Sequence, residues 1–448
     1  MIRREPFGGI VFHEPTHKVY TLDRISFRLL ELFFINNESS RAIQKKLRNE
    51  FGKFRSLKEI LDFAKKVAKN LRSSLHHQRG RTDDDIWQEE WKGEYFSAPI
   101  SNFWTFTNLC NLNCTHCAWD SSRPLSDELD TEACLRLIDQ QYQIGVCELS
   151  FSGGEPLAKK KQLLQMGNYA TKLGFHLGLA TNATLVNDEV ADELMGAGFS
   201  EVQVSVEGIE AHDSIRGRGV WDRTITGIRV LKHKRFDVTF AVTVNKTNFN
   251  ELDSIFEMAI REGVKNVRFV RFVPIGRGKR NMSLFEFSVQ DEVKLANILW
   301  QKRWELFPKI TVTFNKHYVS IGATKSPQMG SIPESFGWNW DCPSGRSRIC
   351  IMPQGKVAPC PLIGSLGLSG GDIREKSLKD IWEGSEFFQH IRSGKQRHNQ
   401  SCAGCNFWSK CSGGCKASSY AHYGDLMAID PLCFYEIGDL VQGGGHVT

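Results

Sequence analysis

Cys110, Cys114 and Cys117 form the pattern C-x-x-x-C-x-x-C. Three thiolates on one short loop can hold three irons of a cubane cluster and leave the fourth iron open. Chemistry at a metal requires such an open position, because a substrate or cofactor must occupy it. His116 lies inside the run, so a zinc ion held by thiolate and imidazole is the competing reading of the spacing. Trp119, two residues on, could help exclude water. Eight further cysteines, Cys342, Cys350, Cys360, Cys402, Cys405, Cys411, Cys415 and Cys433, fall within 92 residues. Eight thiolates suffice to saturate two cubanes. The x2 spacing of Cys402 and Cys405 also suits a pair of structural zinc sites. Cys134 and Cys147 stand apart and read as core thiols.

The elements that must position these residues follow from patterning. From 97 to 320 the chain alternates strand-like and helix-like stretches. Strands are predicted at Phe103–Thr107, Glu148–Ser152, His176–Thr181, Glu201–Val206, Val238–Val244 and Val267–Val273, with helices such as Asp130–Tyr142 and Lys161–Lys172 between them. That alternation implies an α/β fold with a parallel sheet and right-handed crossovers. Six units suggest a partial (β/α)6 TIM-type barrel. Cys110 then follows the first barrel strand, at the end where barrel active sites lie. From 338 to 440 cysteine, glycine and proline dominate with little periodicity, which predicts a segment stapled by metal rather than held by an apolar core.

Residues 1–80 read as a small α+β unit of winged-helix-like layout. A hairpin spans 8–22, with Ile10–Phe12 and Val19–Leu22 as strands around a Pro15-Thr16 turn. Three helices follow: Ile25–Phe34, one carrying Ile43, Leu47 and Phe51, and one opened by the capping box Ser56-x-x-Glu59. An acidic linker, 81–96, separates this unit from the barrel. The net charge of +6 is uneven: residues 1–81 hold 18 Lys/Arg against 8 Asp/Glu, and 82–94 hold six acids and one lysine. The basic character thus belongs to the N-terminal unit. No run of about 18 apolar residues and no secretory signal is seen, so no membrane association and a cytoplasmic location are expected. Thirteen cysteines in that compartment point to metal or redox chemistry rather than disulfides.

The cysteine triad and the motifs that follow it resemble the radical S-adenosylmethionine (SAM) superfamily. Ser152-Gly153-Gly154-Glu155-Pro156 ends the second strand and is similar to the family's GGEP motif. Thr181-Asn182 ends the third, and Ser205-Val206-Glu207-Gly208 the fourth, followed by His212-Asp213 and Arg216-Gly217. Val273-Pro274-Ile275-Gly276 ends the sixth. The resemblance implies that Cys110, Cys114 and Cys117 hold the SAM-cleaving [4Fe–4S] cluster. It implies that Gly153, Gly154 and Glu155 receive the amino group of the methionine moiety. Glycines permit close approach, and a carboxylate pairs with an ammonium. Asn182 belongs to the same SAM site, Ser205 would contact the ribose, Arg216 the carboxylate or ribose, and Ile275 would flank the adenine. Glu207 stands where many relatives carry Asp. One electron from the cluster would cleave SAM, and the resulting deoxyadenosyl radical would take a hydrogen from the substrate.

The C-terminal cysteines, with Gly355 five residues before Cys360, resemble the SPASM domain. That resemblance implies two auxiliary [4Fe–4S] clusters, one on Cys342, Cys350, Cys360 and Cys415, the other on Cys402, Cys405, Cys411 and Cys433. Three clusters and SAM are then the cofactors, with flavodoxin or ferredoxin as reductant. The N-terminal unit resembles the RiPP recognition element, the small domain that adds a leader-peptide strand to its hairpin sheet. The likeness rests on layout and on Gly8-Gly9 before the first strand. No ladder of basic and aromatic residues marks a nucleic-acid site, so nucleic acid is not expected as a partner. The expected activity is radical modification of a ribosomally made precursor peptide recruited by that domain, as in relatives of pyrroloquinoline quinone biosynthesis. A decarboxylase of alternative haem synthesis, a sulfatase-maturase-like protein modifier and a non-enzymatic iron–sulfur or zinc scaffold are the alternatives.

Overall fold

The computed structural model describes residues 1–13, 18–36, 38–51, 62, 78–79, 95–314, 342–393 and 413–433. The Pro15-Thr16 turn, the helix from Ser56, most of the acidic linker, Cys402, Cys405, Cys411 and the glycine tail lie outside the described residues.

The N-terminal sheet is ordered β3-β2-β1-β4, from β1 (Ile2–Glu5), β2 (Gly8–His13), β3 (Lys18–Asp23) and β4 (Gln78–Arg79). The expected hairpin is β2–β3, with Ile10 opposite Thr21. One strand escaped the sequence reading: Ile2–Glu5 runs antiparallel to β2, with Ile2 opposite Val11. Gly8 and Gly9 therefore open the second strand, not the first. Gly9 is needed because a Cβ there would lie 2.1 Å from the Phe27 ring. Asp23 caps α1 (Arg24–Leu30) by accepting the Ser26 N–H at 2.8 Å. A π-helical turn, Glu31–Ile35, prolongs it. α2 (Ser40–Phe51) turns Ile43 and Leu47 against Leu29 and Leu32.

Arg3 and Arg4 look like surface charge in the sequence, yet both are buried. Arg4 Nε lies 2.6 Å from Glu31 Oε1. Arg3 donates to the carbonyls of Pro99, Gly145 and Ala98 at 2.9–3.0 Å. Those carbonyls precede the first two barrel strands. The N-terminal unit is thus fastened to the end of the barrel opposite the cysteine loop, through an apolar seam that includes Met1, Ile10, Phe12, Phe96 and Cys147.

The barrel strands are β5 (Ser101–Thr107), β6 (Glu148–Gly153), β7 (His176–Thr181), β8 (Phe199–Ser205), β9 (Asp237–Val244) and β10 (Asn266–Arg271), all parallel. Every expected strand is present. A seventh, β11 (Thr311–Phe314), pairs parallel to β10; its four residues carry too short an apolar signal to read. Helices α3 (Thr131–Ile144), α4 (Lys160–Lys172), α5 (Asp188–Gly196), α6 (Glu210–Arg216), α7 (Val220–His233) and α8 (Leu252–Arg261) cross between strands. α9 (Gly276–Arg280), α10 (Met282–Phe285) and α11 (Val289–Glu305) follow β10. The main core lies between the strands and this helical layer, with Trp104, Phe151, Leu179, Val204, Phe240 and Phe269 pointing outward from the sheet.

The C-terminal segment overturns one expectation. It is not held by metal alone. β12 (Arg348–Ile351) pairs parallel to β5, with Arg348 opposite Ser101, and β13 (Lys356–Ala358) and β14 (Gly371–Asp372) extend the sheet to ten strands. α12 (Pro361–Ser365), α13 (Leu378–Gly384), α14 (Glu386–Arg392) and α15 (Lys416–Tyr423) pack beside it. Ile349, Ile351, Val357, Ile381, Trp382 and Phe388 belong to the main core.

Candidate functional site

The loop carrying Cys110, Cys114 and Cys117 leaves the end of β5 and is built largely by backbone contacts. Gly153 and Gly154 end β6 against it. Gly154 N–H donates to Thr107 O at 2.7 Å and Glu155 N–H to Leu109 O at 2.8 Å. A Cβ on Gly154 would lie 2.2 Å from Leu109 O, and one on Gly153, at φ +149, would lie 2.3 Å from Thr107 O. The two glycines are therefore required first by the close approach of the cysteine loop itself. Glu155 is fully enclosed, and its carboxylate accepts from Leu157 N–H at 3.0 Å, Thr181 Oγ1 at 2.7 Å and Asn182 N–H at 2.8 Å. It ties the ends of β6 and β7 together. The Asn182 side chain donates to Asn111 Oδ1 at 3.0 Å, reaching the cysteine loop from β7.

A buried polar network lies under the loop. Glu207, just past β8, accepts from Arg216 Nη2 at 2.5 Å and meets His116 Nε2 at 3.1 Å. Burial favours the neutral carboxyl, but His116 and Arg216 outweigh it and hold Glu207 down at about 2. Arg216 also points Nη1 at Cys114 Sγ, 3.8 Å away. His212 accepts the Glu207 N–H at Nδ1, 3.2 Å, and faces Thr224 at Nε2. Burial, reinforced by Arg216, lowers it to about 3, so its ring is neutral. Burial pushes the Cys110 thiol up to about 11 and raises that of Cys114, where Arg216 opposes it. Only a strong cation close by would make these thiols thiolates at neutral pH.

From the other side, α9 and its flanks clamp the loop. Arg277 Nε donates to Cys114 O at 2.9 Å and Nη2 to Ser121 O at 2.8 Å, while Nη1 pairs with Asp120 at 2.8 Å. Arg277 N–H donates to Cys117 O at 2.9 Å and Asn281 Nδ2 to Thr115 O at 3.0 Å. A Cβ on Gly276, at φ +59, would lie 2.6 Å from Ala118 O. Sequence reasoning missed Arg277, Asn281 and Asp120. The only signal was the basic run immediately after Val273-Pro274-Ile275-Gly276. Ile275 itself is buried with Val273, Ala421, Leu362 and Leu366, where barrel and C-terminal segment meet. Ser205 closes β8.

Among the expected ligands of the first auxiliary cluster, the charges of Cys342 and Cys415 act on the Cys360 thiol, and that of Cys342 acts on the Cys415 thiol. Burial pushes Cys415 up to about 11 and Cys360 higher still. Cys350 stands apart: it is buried on β12, with Thr105 Oγ1 at 3.5 Å and Met352 Sδ at 3.8 Å. Cys415 N–H donates to Asp430 Oδ2 at 2.7 Å, and Asp430 is paired with Arg271 of β10. Of the second set only Cys433 is described. Cys134 and Cys147 are core thiols, as expected.

The donor set fits an iron–sulfur centre with a polar companion. Among the described residues no three His, Cys, Asp or Glu side chains converge as ligands of a single ion would. Thiols that each meet a different iron of a cubane need not converge on one point. Around the loop His116 Nδ1, Trp119 Nε1, Glu207 Oε2 and Arg216 Nε are buried without a hydrogen-bond partner. Orphaned polar atoms of both signs beside a thiol triad suit a zwitterionic ligand.

The model of the radical SAM superfamily matches residues 104–259, and that of the SPASM iron–sulfur cluster-binding domain matches 342–406. An AdoMet-dependent heme synthase of Methanosarcina barkeri is 33% identical over 353 residues, 76% of this chain and 98% of that protein. A mycofactocin maturase of Mycolicibacterium smegmatis is 29% identical over 340 residues, 75% of this chain and 83% of that one. In fold, SuiB of Streptococcus suis is similar over 97% of this chain and 98% of its own, with TM-score 0.70 and 16% identity. The anSMEcpe structure with bound AdoMet and Cp18Cys peptide is similar over 76% of this chain and 95% of its own, with TM-score 0.59 and 18% identity. No helix among the described residues is long and apolar enough to cross a membrane.

Proposed function

Because this chain belongs to the radical SAM superfamily, and is an enzyme with [4Fe–4S] clusters and SAM as cofactors, we propose that it oxidatively modifies a ribosomally made precursor peptide. The observation that carries this reading is the N-terminal unit. Its β3 edge has no strand beside it among the described residues, its sheet is anchored to the barrel through Arg3, and the fold likeness to SuiB extends over it. SuiB has been crystallised with its precursor peptide SuiA. An open hairpin edge suits strand addition by a leader peptide.

In this reading Cys110, Cys114 and Cys117 hold the SAM-cleaving cluster. Cys342, Cys350, Cys360 and Cys415 hold the first auxiliary cluster, and Cys402, Cys405, Cys411 and Cys433 the second. Cys350 must exchange its Thr105 contact for iron. When bound, cluster and SAM together supply a carbon radical able to take a hydrogen atom from the substrate. The protein's part is placement. Gly153 and Gly154 bring the β6 end close, with Glu155 fixing its shape. Asn182, Ser205 and Arg216 line the polar part of the SAM site, and Ile275 its apolar wall. Arg216 offers positive charge to a carboxylate while Glu207 holds its orientation. An external one-electron donor such as flavodoxin or ferredoxin serves as reductant.

A second reading, a small-molecule decarboxylation of the haem-synthesis type, is favoured by the 33% identity to the heme synthase. That match covers 76% of this chain.

The deciding experiment is anaerobic reconstitution with iron and sulfide counting, for the wild type and a Cys110/Cys114/Cys117→Ala variant, with candidate precursor peptides. The reading expects about twelve irons in the wild type and about eight in the variant, deoxyadenosine from the wild type alone, and a mass change in the peptide that needs residues 1–80. Turnover of a porphyrin but no peptide would favour the second reading. Zinc in place of iron would sink both.

A further inference from the structure

One thiol of the cysteine loop faces a cation. Arg216 ends α6 and points Nη1 at Cys114 Sγ, 3.8 Å away, within reach of an N–H···S hydrogen bond. Cys110 Sγ accepts a neutral backbone N–H, from Leu112 at 3.4 Å. Among the described residues Cys114 is the one thiol of the three that receives a hydrogen bond from a charged side chain.

The aim of Arg216 is fixed from two sides. Beside it in the chain, Ile215 O accepts from Thr115 N–H at 2.9 Å and from Thr115 Oγ1 at 3.1 Å. Across the guanidinium, Glu207 Oε1 accepts from Nη2 at 2.5 Å, and the same oxygen meets His116 Nε2 at 3.1 Å. Thr115 and His116 are the two residues that follow Cys114. The loop thus holds in place the arginine that meets its own thiol, in a closed circuit from Cys114 to Arg216, Glu207 and His116. The Arg216 side chain is 9% exposed. Burial works against its charge, but Glu207 and Cys114 outweigh it, so the guanidinium stays charged. Nε is buried without a hydrogen-bond partner, which leaves one donor for a carboxylate of SAM.

Hydrogen bonds to ligand sulfurs and local charge set the potential of an iron–sulfur cluster. The reduced form carries one more negative charge, so a buried cation at a ligand sulfur favours it, and burial limits the screening of that effect. We propose that Arg216, acting through Cys114, raises the reduction potential of the SAM-cleaving cluster, so that the SAM-free enzyme takes its electron more readily from the external donor. This rests on the assignment of Cys110, Cys114 and Cys117 to that cluster. Arg216 then has two duties on one fork: Nη1 tunes the thiolate and Nε meets the ligand.

The test is a potentiometric titration of the reconstituted full-length enzyme without SAM, followed by electron paramagnetic resonance. The relevant signal is the one that changes when SAM is added to reduced enzyme. At the wild-type midpoint, Arg216→Gln should show a reduced-to-oxidised ratio about tenfold lower, a fall of about 59 mV for one electron. Arg216→Lys keeps a cation but not the planar fork that joins Glu207 to Cys114, and should fall by less. An unchanged midpoint in Arg216→Gln overturns the proposal, since a residue that serves SAM alone would leave the SAM-free potential where it is. Asn281→Ala removes a neutral contact to the same loop, the bond to Thr115 O at 3.0 Å, and should keep the wild-type midpoint. An equal fall in that variant would trace the effect to a loosened loop and overturn the proposal too. If Arg216→Gln takes up no iron, Arg216→Lys decides: a lowered midpoint supports the bond and a wild-type midpoint overturns it. If wild-type enzyme gives no SAM-sensitive signal, the cluster assignment falls and takes the proposal with it. A SAM-sensitive signal whose midpoint ignores residue 216 removes the tuning role alone.

Discussion

Arg271 Nη1 lies 2.7 Å from Oδ1 and 2.9 Å from Oδ2 of Asp430, and both side chains are buried. The pair links the end of β10 to the backbone of Cys415, since Asp430 also accepts the Cys415 and Leu432 N–H groups at 2.7 and 3.0 Å. Removing one partner leaves the other as an unpaired buried charge. Asp430→Ala is expected to cost about 3–5 kcal/mol, read as a lower denaturation midpoint. The double variant Arg271→Met/Asp430→Leu should recover much of that loss. A single variant with an unchanged midpoint would refute the coupling.

Arg277→Ala removes two hydrogen bonds to carbonyls of the cysteine loop and the pairing with Asp120. Charge-assisted bonds of this kind are worth about 1.5–3 kcal/mol each. The loop should release its iron to a chelator at least tenfold faster, while the C-terminal iron is unaffected. Equal release rates in wild type and variant would show that the clamp does not hold the loop.

Gly154→Ala and Gly196→Ala make a matched pair. A methyl at 154 meets Leu109 O at 2.2 Å, whereas one at 196, the last residue of α5, meets nothing within 4 Å. The first should abolish SAM cleavage. The second should leave it intact and stabilise the fold by up to about 1 kcal/mol. Cleavage by both variants would mean that the close approach of β6 to the loop is dispensable.

His212 makes stability depend on pH. Its folded value, about 3, lies below the usual 6.5 because of burial, aided by Arg216 and opposed by Glu207 and Asp213. The unfolded chain therefore takes up a proton that the fold refuses. The contribution is complete above about 6.5 and is lost as pH falls toward about 3, at up to about 1.4 kcal/mol per pH unit. His212→Gln keeps an acceptor for the Glu207 N–H. Between pH 7 and pH 5 it should lose about 2 kcal/mol less than the wild type. Parallel profiles would contradict the assignment.

Arg3→Gln deprives the N-terminal unit of its donors to Pro99, Gly145 and Ala98. Limited proteolysis should then separate residues 1–80 from the barrel faster than in the wild type. If peptide binding survives but modification drops, the anchor serves delivery rather than recognition.

Much of the architecture was legible because its signals are local. The barrel strands are β-branched and aromatic runs, and the cysteine spacing and Gly153-Gly154-Glu155 stand in adjacent positions. What stayed hidden is decided by distant partners. Ile2–Glu5 reads as a charged terminus because Glu31, Glu5 and carbonyls near residue 98 are needed to explain Arg3 and Arg4 in a strand. Arg277 reads as one surface cation among several because its partners are main-chain carbonyls, which carry no residue signature. Glu155 reads as a ligand for an amino group, and its motif gives no sign that the same carboxylate also ties β6 to β7 by accepting from Thr181 and two backbone N–H groups. The C-terminal core was missed because glycine and proline obscure the short strands that bury Ile349 and Ile351.

The pairing of Ser101 with Arg348 spans 247 residues. At roughly 5–20 residues per second of synthesis, β5 leaves the ribosome about 12–50 s before the strand that will cover it. Throughout that interval the start of β5 has a bare edge, while Cys110, Cys114 and Cys117 have already been made. Biosynthesis therefore gives metal delivery to the first three cysteines a head start over sheet closure, and exposes the nascent barrel to edge pairing while it waits.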